Sequence, residues 1–178
     1  MSNYVFVATS LDGFIADENG GIDWLMEVPN PDKIDYGYAE LMKNTDALVM
    51  GRSTFEKVLT FGEWFYTKPV FVVSNSLTEI PENLKDKVEI VKGDMREVVR
   101  NLNSQGYKNL YVDGGKLIQS FLKEDLIDEL IINKIPILLG RGIRLFGEID
   151  QKLKFKHTKT EVFNDSLVMS CYLRDRDA

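Results

Sequence analysis

Three polar segments of the sequence carry side chains that could bind a phosphorylated ligand. Each segment follows a short apolar run, and the three span residues 51–54, 74–76 and 113–116. Backbone N–H groups at a strand-to-helix turn, together with nearby cations, are the groups that hold a diphosphate. The candidate residues are Gly51, Arg52, Ser53, Thr54, Ser74, Asn75, Ser76, Gly114, Gly115 and Lys116.

Each segment also has an ordinary structural interpretation. Ser53 and Glu56 have the spacing of a capping box, which would start a helix at Ser53 and leave Arg52 just before it. The glycine pair and the serine-rich segment are both typical of simple turns. The recurrence of glycines, hydroxyl groups and cations after three separate strands nevertheless favours a diphosphate-bearing cofactor. The sequence contains neither GxGxxG nor GxxxxGK(S/T), so the residue pattern alone indicates an anion site on an α/β sheet.

Apolar runs and helical patterns alternate along the first two thirds of the chain. Runs rich in valine, isoleucine and leucine predict buried strands at 4–9, 47–50, 70–74, 88–91 and 109–112. Between them, helices are predicted near 34–43, 54–59, 94–103 and 116–123. This order is typical of an α/β fold with a mainly parallel sheet, in which ligands bind at the carboxyl ends of the strands.

The C-terminal part of the sequence follows a different pattern. Residues 129–138, 154–163 and 167–173 have strand character, and no clear helix separates them. Residues 164–166, Asn-Asp-Ser, supply a turn between the last two. We therefore expect an antiparallel hairpin at the edge of the sheet.

Composition bounds the class of protein. The chain has 178 residues, which predicts a single domain over 1–178. A net charge of −6 argues against a nucleic-acid partner, and no apolar run approaches the roughly 20 residues of a membrane span. One cysteine and one histidine leave no internal disulfide and no His/Cys metal site. With no basic leader, these features predict a cytoplasmic protein that holds no metal.

Four motifs resemble those of the dihydrofolate reductase superfamily, in the same order along nearly the whole chain. They are ATSLDGFIADENGGIDW (8–24), VMGRSTFE (49–56), VVSNS (72–76) and VDGGKLIQSFL (112–122). DELIINKIPILLGRGIRLF (128–146) is similar to the branch shared with the reductase domain of bifunctional riboflavin-biosynthesis enzymes. The resemblance implies a dihydrofolate reductase-like α/β fold, with a mainly parallel central sheet flanked by helices and a C-terminal antiparallel hairpin.

The resemblance also implies that the anion site holds NADPH. Arg52 would bind the 2′-phosphate with Lys92 near it, and such cations favour NADPH over NADH. Ser53 and Thr54 would contact the diphosphate. The other implied contacts are Ser74, Asn75 and Ser76 at the adenosine end, Gly114, Gly115 and Lys116 at the diphosphate, and the backbone of Ala8 and Ile15 at the nicotinamide carboxamide.

A mobile loop and a catalytic acid are implied as well. The loop 11–23 ends at Trp24 and is expected to close over the active site. Counting back from Met-Gly-Arg without a gap gives Asp35 as the acid, whereas alignment on Asn-Thr-Asp leaves that position without one. Glu40 and Asp23 are the alternative acids. Trp24 and Asp35 are therefore the candidate catalytic residues.

The sequence leaves the identity of the substrate open. Lys68 stands where folate reductases have an arginine, and Asn133 where they have a threonine, which weakens the case for folate itself. The riboflavin branch usually has arginines on the helix before strand 47–50, where this chain has only Lys43. The chain also lacks the HxE…PCxxC zinc signature of the partner deaminase.

The expected function is an NADPH-dependent reduction of a small pteridine- or pyrimidine-like heterocycle. The riboflavin-pathway example of such a substrate is 5-amino-6-(5-phosphoribosylamino)uracil. Dihydrofolate reductase activity proper and NADPH binding without turnover are the alternatives. Relatives in the riboflavin branch form dimers through their C-terminal elements, so the resemblance also suggests a homodimer.

Overall fold

The computed structural model describes residues 1–177 and consists of a central sheet of eight strands with helices on both faces. The strand order is β5-β4-β3-β6-β1-β7-β10-β9, and the first six strands run parallel. The eight strands of this sheet are β1 (Ser2–Thr9), β3 (Ala47–Gly51), β4 (Val70–Val73), β5 (Val88–Val91), β6 (Asn109–Asp113), β7 (Glu129–Lys134), β9 (Phe155–Phe163) and β10 (Leu167–Arg174). This architecture confirms the predicted fold class.

Four α-helices cover the sheet. They are α1 (Tyr38–Asn44), α2 (Arg52–Leu59), α3 (Met95–Ser104) and α4 (Gly115–Lys123), with short 3-10 helices at Asp23–Glu27 and Glu82–Leu84. Helix α1 begins four residues later than predicted, because Gly37 takes a φ of 91° that stops the helix from extending backwards. Helix α2 begins two residues earlier than predicted, directly after Gly51.

Two hydrophobic clusters explain why the central strands are apolar along their whole length. Helices α3 and α4 pack on one face, where Leu102, Ile118 and Phe121 are fully buried. Helices α1 and α2 pack on the other face through residues such as Leu41 and Phe55. Strand β3 between these layers is completely buried from Ala47 to Met50, so neither face of it tolerates a polar side chain.

The C-terminal hairpin is confirmed at the sheet edge. Strand β10 pairs antiparallel with β7 on one side and with β9 on the other. At the turn, Asn164 and Asp165 both adopt positive φ values near 50°, and the N–H of Ser166 donates to the carbonyl of Phe163 at 3.0 Å. Asparagine and aspartate tolerate this left-handed conformation better than most residues, which is why the sequence marks the turn.

A second, two-stranded sheet was not predicted. Strand β2 (Phe14–Ala16) pairs antiparallel with β8 (Ile143–Arg144), so the middle of the loop 11–23 is anchored to a distant segment. A Cβ at Gly142 would overlap the carbonyl oxygen of Ala16, which explains the glycine there. The loop therefore has a fixed central strand. Residues 17–22 belong to no helix or strand, and they form a turn in which the N–H of Asp17 donates to the carbonyl of Gly21 at 3.0 Å.

The C-terminal end of the described chain is tied to the turn before β7. The guanidinium of Arg174 donates to both carboxylate oxygens of Asp125, at 2.7 and 3.1 Å. Arg176 pairs with Asp128 at 2.7 Å. Within residues 1–177, no helix has the length and apolar character required to cross a membrane.

Candidate active site

One large cleft opens at the carboxyl ends of the parallel strands, with a volume of about 1530 Å³. It is bounded by the first turns of α2 and α4, by the end of β1, and by the segment from β2 to the first 3-10 helix. The predicted cofactor residues that line it are Ala8, Ile15, Gly51, Arg52, Ser53, Thr54, Gly114, Gly115 and Lys116. The fold thus gathers nine predicted residues from four segments of the chain into one cleft.

The start of α2 differs from the predicted capping box. Gly51 is the cap residue, Arg52 is the first helical residue, and no described side chain caps the helix. Glu56 does not reach back to the helix start; its carboxylate accepts from Nε of Arg52 at 2.6 Å instead. The capping box is therefore wrong, because an arginine four residues before Glu56 offers a stronger, charged partner than a backbone N–H.

Arg52 also bridges two strand ends. Its Nη1 donates to the hydroxyl of Ser76 at 2.9 Å, while its side chain stays about half exposed at the edge of the cleft. The guanidinium is thus held in place from two sides and still reaches solvent. This arrangement places a fixed cation where an anion could enter.

The other residues of the second predicted segment lie outside the cleft lining. The hydroxyl of buried Ser74 accepts from the N–H groups of Ser76 and Leu77 at 3.2 and 2.9 Å, which is a serine turn. Asn75 is exposed, and so is Lys92 at the end of β5. Ser76 also lies outside the cleft lining, but its hydroxyl accepts a hydrogen bond from a cleft residue, Arg52.

The glycine pair is required by packing inside the protein. Gly114 has a φ of 98°, and a Cβ there would overlap Oγ1 of Thr54. A Cβ at Gly115 would lie 2.7 Å from Cδ1 of Ile15. The two glycines therefore let the starts of α4 and α2 and the strand β2 meet around one point. Helix α4, like α2, has no side-chain cap from the described residues, so its first N–H groups remain available.

The structure places the two predicted catalytic residues away from the cleft surface. Asp35 is exposed, and its carboxylate accepts from the N–H groups of Gly37 and Ala39 at 3.1 and 2.7 Å. These bonds lower the pKa of Asp35, and through them its carboxylate caps the first turn of α1 from two residues before Gly37, the N-cap residue. Trp24 is buried and lies outside the cleft lining, and its Nε1 has no partner among the described residues. Glu40, an alternative acid, pairs with Lys43 in solvent.

A different acid lines the cleft. Asp113, the last residue of β6, stands on the same face of the sheet as Phe6 and Met50. Burial raises its pKa from 3.8 to about 6, although the N–H of Gly114 opposes the shift. Sequence reasoning treated Asp113 only as part of the glycine turn. The available signal was an acid that ends a buried apolar strand.

Tyrosines surround this acid. Burial raises the pKa values of Tyr38, Tyr66 and Tyr111, and the charge of Asp113 raises them further. The hydroxyl of Tyr111 donates to the carbonyl of Phe6 at 3.0 Å. The cleft therefore changes character along its length, from glycines and cations at the helix starts to a wall of phenol rings. Such flat walls suit a planar ring.

Exposed aromatic rings form the rim at this end. Phe61 and Phe65 stack with their ring centroids 6.4 Å apart, and both line the cleft while about half of each side chain is exposed. Asn133 lies deeper and is only 3 % exposed. Lys68 and Lys43 are not part of the cleft lining.

Together, the fold and this cleft define a protein of the dihydrofolate reductase-like class, as the motifs predicted. More narrowly, the chain belongs to the RibD C-terminal domain family, which matches residues 4–169.

Three comparisons illustrate this placement. The uncharacterized Bacillus subtilis protein YwjB is 38 % identical over 161 residues, covering 87 % of this chain and 89 % of YwjB. A crystal structure from Shewanella sp. PV-4, of a protein provisionally assigned to riboflavin biosynthesis, is 53 % identical with a TM-score of 0.96, covering 99 % of this chain and all of that one. Enterococcus faecalis dihydrofolate reductase, complexed with NADP(H), shares the fold at 17 % identity and a TM-score of 0.69, covering 98 % of this chain and 96 % of that one.

Proposed function

We propose that this protein is an NADPH-dependent reductase of a small pteridine- or pyrimidine-like heterocycle. The observation that carries the proposal is that Arg52, Lys116 and two uncapped helix starts converge on one cleft whose far end has aromatic walls. A volume of about 1530 Å³ exceeds the roughly 300–1,000 Å³ of a pocket for one small ligand. The cleft suits a dinucleotide and a flat acceptor lying side by side.

The charged end fits the cofactor. Diphosphate oxygens need N–H donors and close backbone approach, which the first turns of α2 and α4 offer around Gly114. A 2′-phosphate needs a guanidinium that is fixed but accessible, and Arg52 has both properties. Ser76, already bonded to Arg52, would lie beside the same phosphate. The fold shared with an NADP(H)-complexed dihydrofolate reductase adds support.

When bound, the reduced nicotinamide supplies the hydride. The backbone of Ala8 and Ile15 would hold its carboxamide at the end of β1, and residues 17–22 would exclude water from above. The product also needs a proton. We assign this task to Asp113, because a carboxyl group with a pKa of about 6 keeps a proton closer to neutral pH than an ordinary aspartate does. Asp35 would act only as a helix cap.

Binding of NADPH without turnover is the second candidate. It is favoured by the outward position of Asp35, the acid that the family resemblance implied. It predicts tight NADPH binding and no loss of NADPH absorbance with any pteridine or pyrimidine acceptor. Consumption of NADPH with one such acceptor, lost in Asp113→Asn and kept in Asp35→Asn, would exclude it.

Arg52→Ala tests the cofactor assignment. We expect NADPH affinity to fall roughly 10- to 100-fold and NADH affinity to change less than about threefold, since only NADPH carries the 2′-phosphate. Titration by calorimetry measures both constants. Arg96→Ala is a matched control, because Arg96 makes the same kind of 2.6 Å Nε–carboxylate pair, with Glu124 instead of Glu56, outside the cleft. Equal losses for the two dinucleotides in Arg52→Ala would contradict the assignment.

A further inference from the structure

A second, smaller pocket lies behind the ribbon formed by β2 and β8, on the side away from the cleft. Its volume is about 490 Å³, within the roughly 300–1,000 Å³ of pockets that hold one small ligand. Ile143 of the ribbon lines the cleft, whereas the next residue, Arg144, lines the second pocket. Within residues 1–177, the two linings have no residue in common. The second pocket is therefore a separate site, sized for a ligand much smaller than a dinucleotide.

The floor of this pocket is the central sheet. Ile132 and Lys134 of β7, with Val168 and Ser170 of β10, line it at alternate positions of their strands. Alternate side chains of a strand share one face, so these four lie on the face opposite to Asn133, which lines the cleft. Lys134 and Val168 are also register partners, so the pairing of β7 with β10 fixes the floor.

Two cations of the pocket lack an acidic partner. The guanidinium carbon of Arg144 lies 4.6 Å from the ring centroid of Phe14, its register partner across the ribbon. This cation–π contact positions the guanidinium and uses none of its N–H donors. Within residues 1–177, neither Arg144 nor Lys134 forms an ion pair. In a chain of net charge −6, two such cations on one small pocket create a local preference for an anion.

The acid in the described lining of the pocket is already occupied. The carboxylate of Asp12 accepts from the hydroxyl of Ser10 at 2.6 Å and from the N–H groups of Leu139 and Gly140 at 3.2 and 2.7 Å. These donors offset the charge of the carboxylate and hold it against the segment before β8. Asp12 therefore has a structural task, and it leaves the two cations to a ligand.

A hydroxyl group and apolar side chains complete the pocket. Oγ of Ser170 lies 3.3 Å from Oγ1 of Thr160, which can donate to it and leave the proton of Ser170 for a ligand. Leu11 and Phe146 also line the pocket, and they are 50 % and 47 % exposed. An organic group packed on these two side chains would remove apolar surface from water.

We propose that this pocket binds a small phosphate monoester, with the phosphate held by Arg144 and Lys134 and the organic part packed on Leu11 and Phe146. A phosphate monoester carries a charge of about −2 near neutral pH, which two cations balance. A guanidinium offers a fork of N–H donors to phosphate oxygens, and an ammonium group adds a compact charge. A carboxylate would leave one cation unbalanced. The proposal goes beyond the proposed function and needs no residue of the cleft.

Calorimetric titration with phenyl phosphate tests the proposal in protein saturated with NADP⁺, so that the cationic end of the cleft is filled. We expect phenyl phosphate to bind at one site per chain. Inorganic phosphate should bind roughly tenfold more weakly, because it lacks the apolar part, and phenol should show no detectable binding. If NADP⁺ does not bind, the proposed function fails. The same titration in Arg52→Ala then still tests the second pocket, because that variant removes the fixed cation of the cleft.

Variants of the two cations locate the site. Lys134→Gln and Arg144→Gln should each weaken phenyl phosphate binding roughly tenfold, the loss of one charge-assisted hydrogen bond, and leave NADP⁺ affinity unchanged. Arg141→Gln is the matched control, because Arg141 is exposed, lies three residues before Arg144 and is outside both linings. It removes the same charge and should leave phenyl phosphate affinity within about twofold.

A thermal measurement keeps the test independent of the contact between Arg144 and Phe14. Lys134 is an exposed side chain at the end of β7 without an ion pair in the described chain, so Lys134→Gln should fold even if Arg144→Gln does not. Phenyl phosphate should raise the melting temperature of the wild-type protein, and the rise should be smaller in Lys134→Gln at the same concentration.

Any of four results overturns the proposal. Three concern phenyl phosphate: unchanged affinity in Lys134→Gln, equal losses in Lys134→Gln and Arg141→Gln, or no binding once the cleft is filled or Arg52 is replaced. The fourth is inorganic phosphate binding as tightly as phenyl phosphate, since the pocket would then recognise charge alone.

Discussion

Asp113→Asn should stabilise the folded protein at neutral pH, and the gain should vanish in acid. The pKa of Asp113 rises from 3.8 in the unfolded chain to about 6 in the fold, because burial disfavours its charge. A raised pKa means that the contribution of this carboxyl to stability is present in full below pH 3.8 and is lost as pH rises through 6. About two units at 1.36 kcal/mol each give about 3 kcal/mol as an upper value. Asp113 lines the open cleft, and solvent there reduces the cost of its charge. The expected gain in the free energy of unfolding above pH 7 is therefore about 2 kcal/mol.

Urea unfolding of the wild-type protein and the variant between about pH 2 and pH 8, a range that extends below the unfolded-state pKa of 3.8, measures this difference directly. Asp12→Asn is the control with the opposite sign, since the Ser10 hydroxyl and the N–H groups of Gly140 and Leu139 lower the pKa of Asp12. Its effect should be a destabilisation that is present above pH 4 and lost as pH falls below that value. A stability difference for Asp113→Asn that is constant across this range, or that grows in acid, would refute the argument. Asp113→Asn should also abolish reductase turnover, while its NADPH affinity stays within about threefold of the wild-type value.

Three further outcomes follow from the geometry. Gly114→Ala should destabilise the fold by about 2–4 kcal/mol in urea unfolding, and adding Thr54→Ala should restore only the steric part, because the strain of φ 98° remains. Arg174→Ala should lower the free energy of unfolding by about 3 kcal/mol, since it leaves Asp125 without its bidentate partner. A loss below about 0.5 kcal/mol would show that this ion pair does not stabilise the fold. Asp35→Ala should cost about 1 kcal/mol, because the N–H groups of Gly37 and Ala39 lose their acceptor, and it should leave NADPH consumption within about threefold. A hundredfold loss of turnover would restore Asp35 as the catalytic acid.

The charged end of the cleft could be predicted from sequence because its residues conflict with their local context. Each of these motifs alone is typical of a turn, but glycines and cations that recur after β3 and β6 fall at the same edge of a parallel sheet, where ligands bind. The capping box failed for a physical reason. The pattern Ser-x-x-Glu predicts a backbone cap, but Arg52 stands four residues before Glu56 and competes for the same carboxylate.

Contacts between distant segments left no comparable signal. Strands β2 and β8 have three and two residues, too few for a hydrophobic period to be recognised. They are held together by long-range contacts such as that of Asp12, which accepts from the N–H of Gly140 across 128 residues. The cleft acid is a second such case. Counting along the chain gave Asp35, which lies outside the cleft lining, whereas the burial of Asp113 in the cleft depends on the neighbours that folding brings to β6.

The aromatic end of the cleft, around Asp113 and the tyrosines, shows why the substrate class is the hardest property to predict from the sequence. Ala8, Asp113 and Asn133 stand on one face of β1, β6 and β7, at the ends where the cleft opens. Their alternate neighbours point into the opposite core, so these positions can change without disturbing the packing of α3 and α4. The packing of α3 and α4 therefore constrains these three positions only weakly. Under the proposed function, family members that share the Gly-Arg and Gly-Gly turns should bind the same cofactor, while exchange at Asp113 should change proton transfer and leave cofactor affinity unchanged.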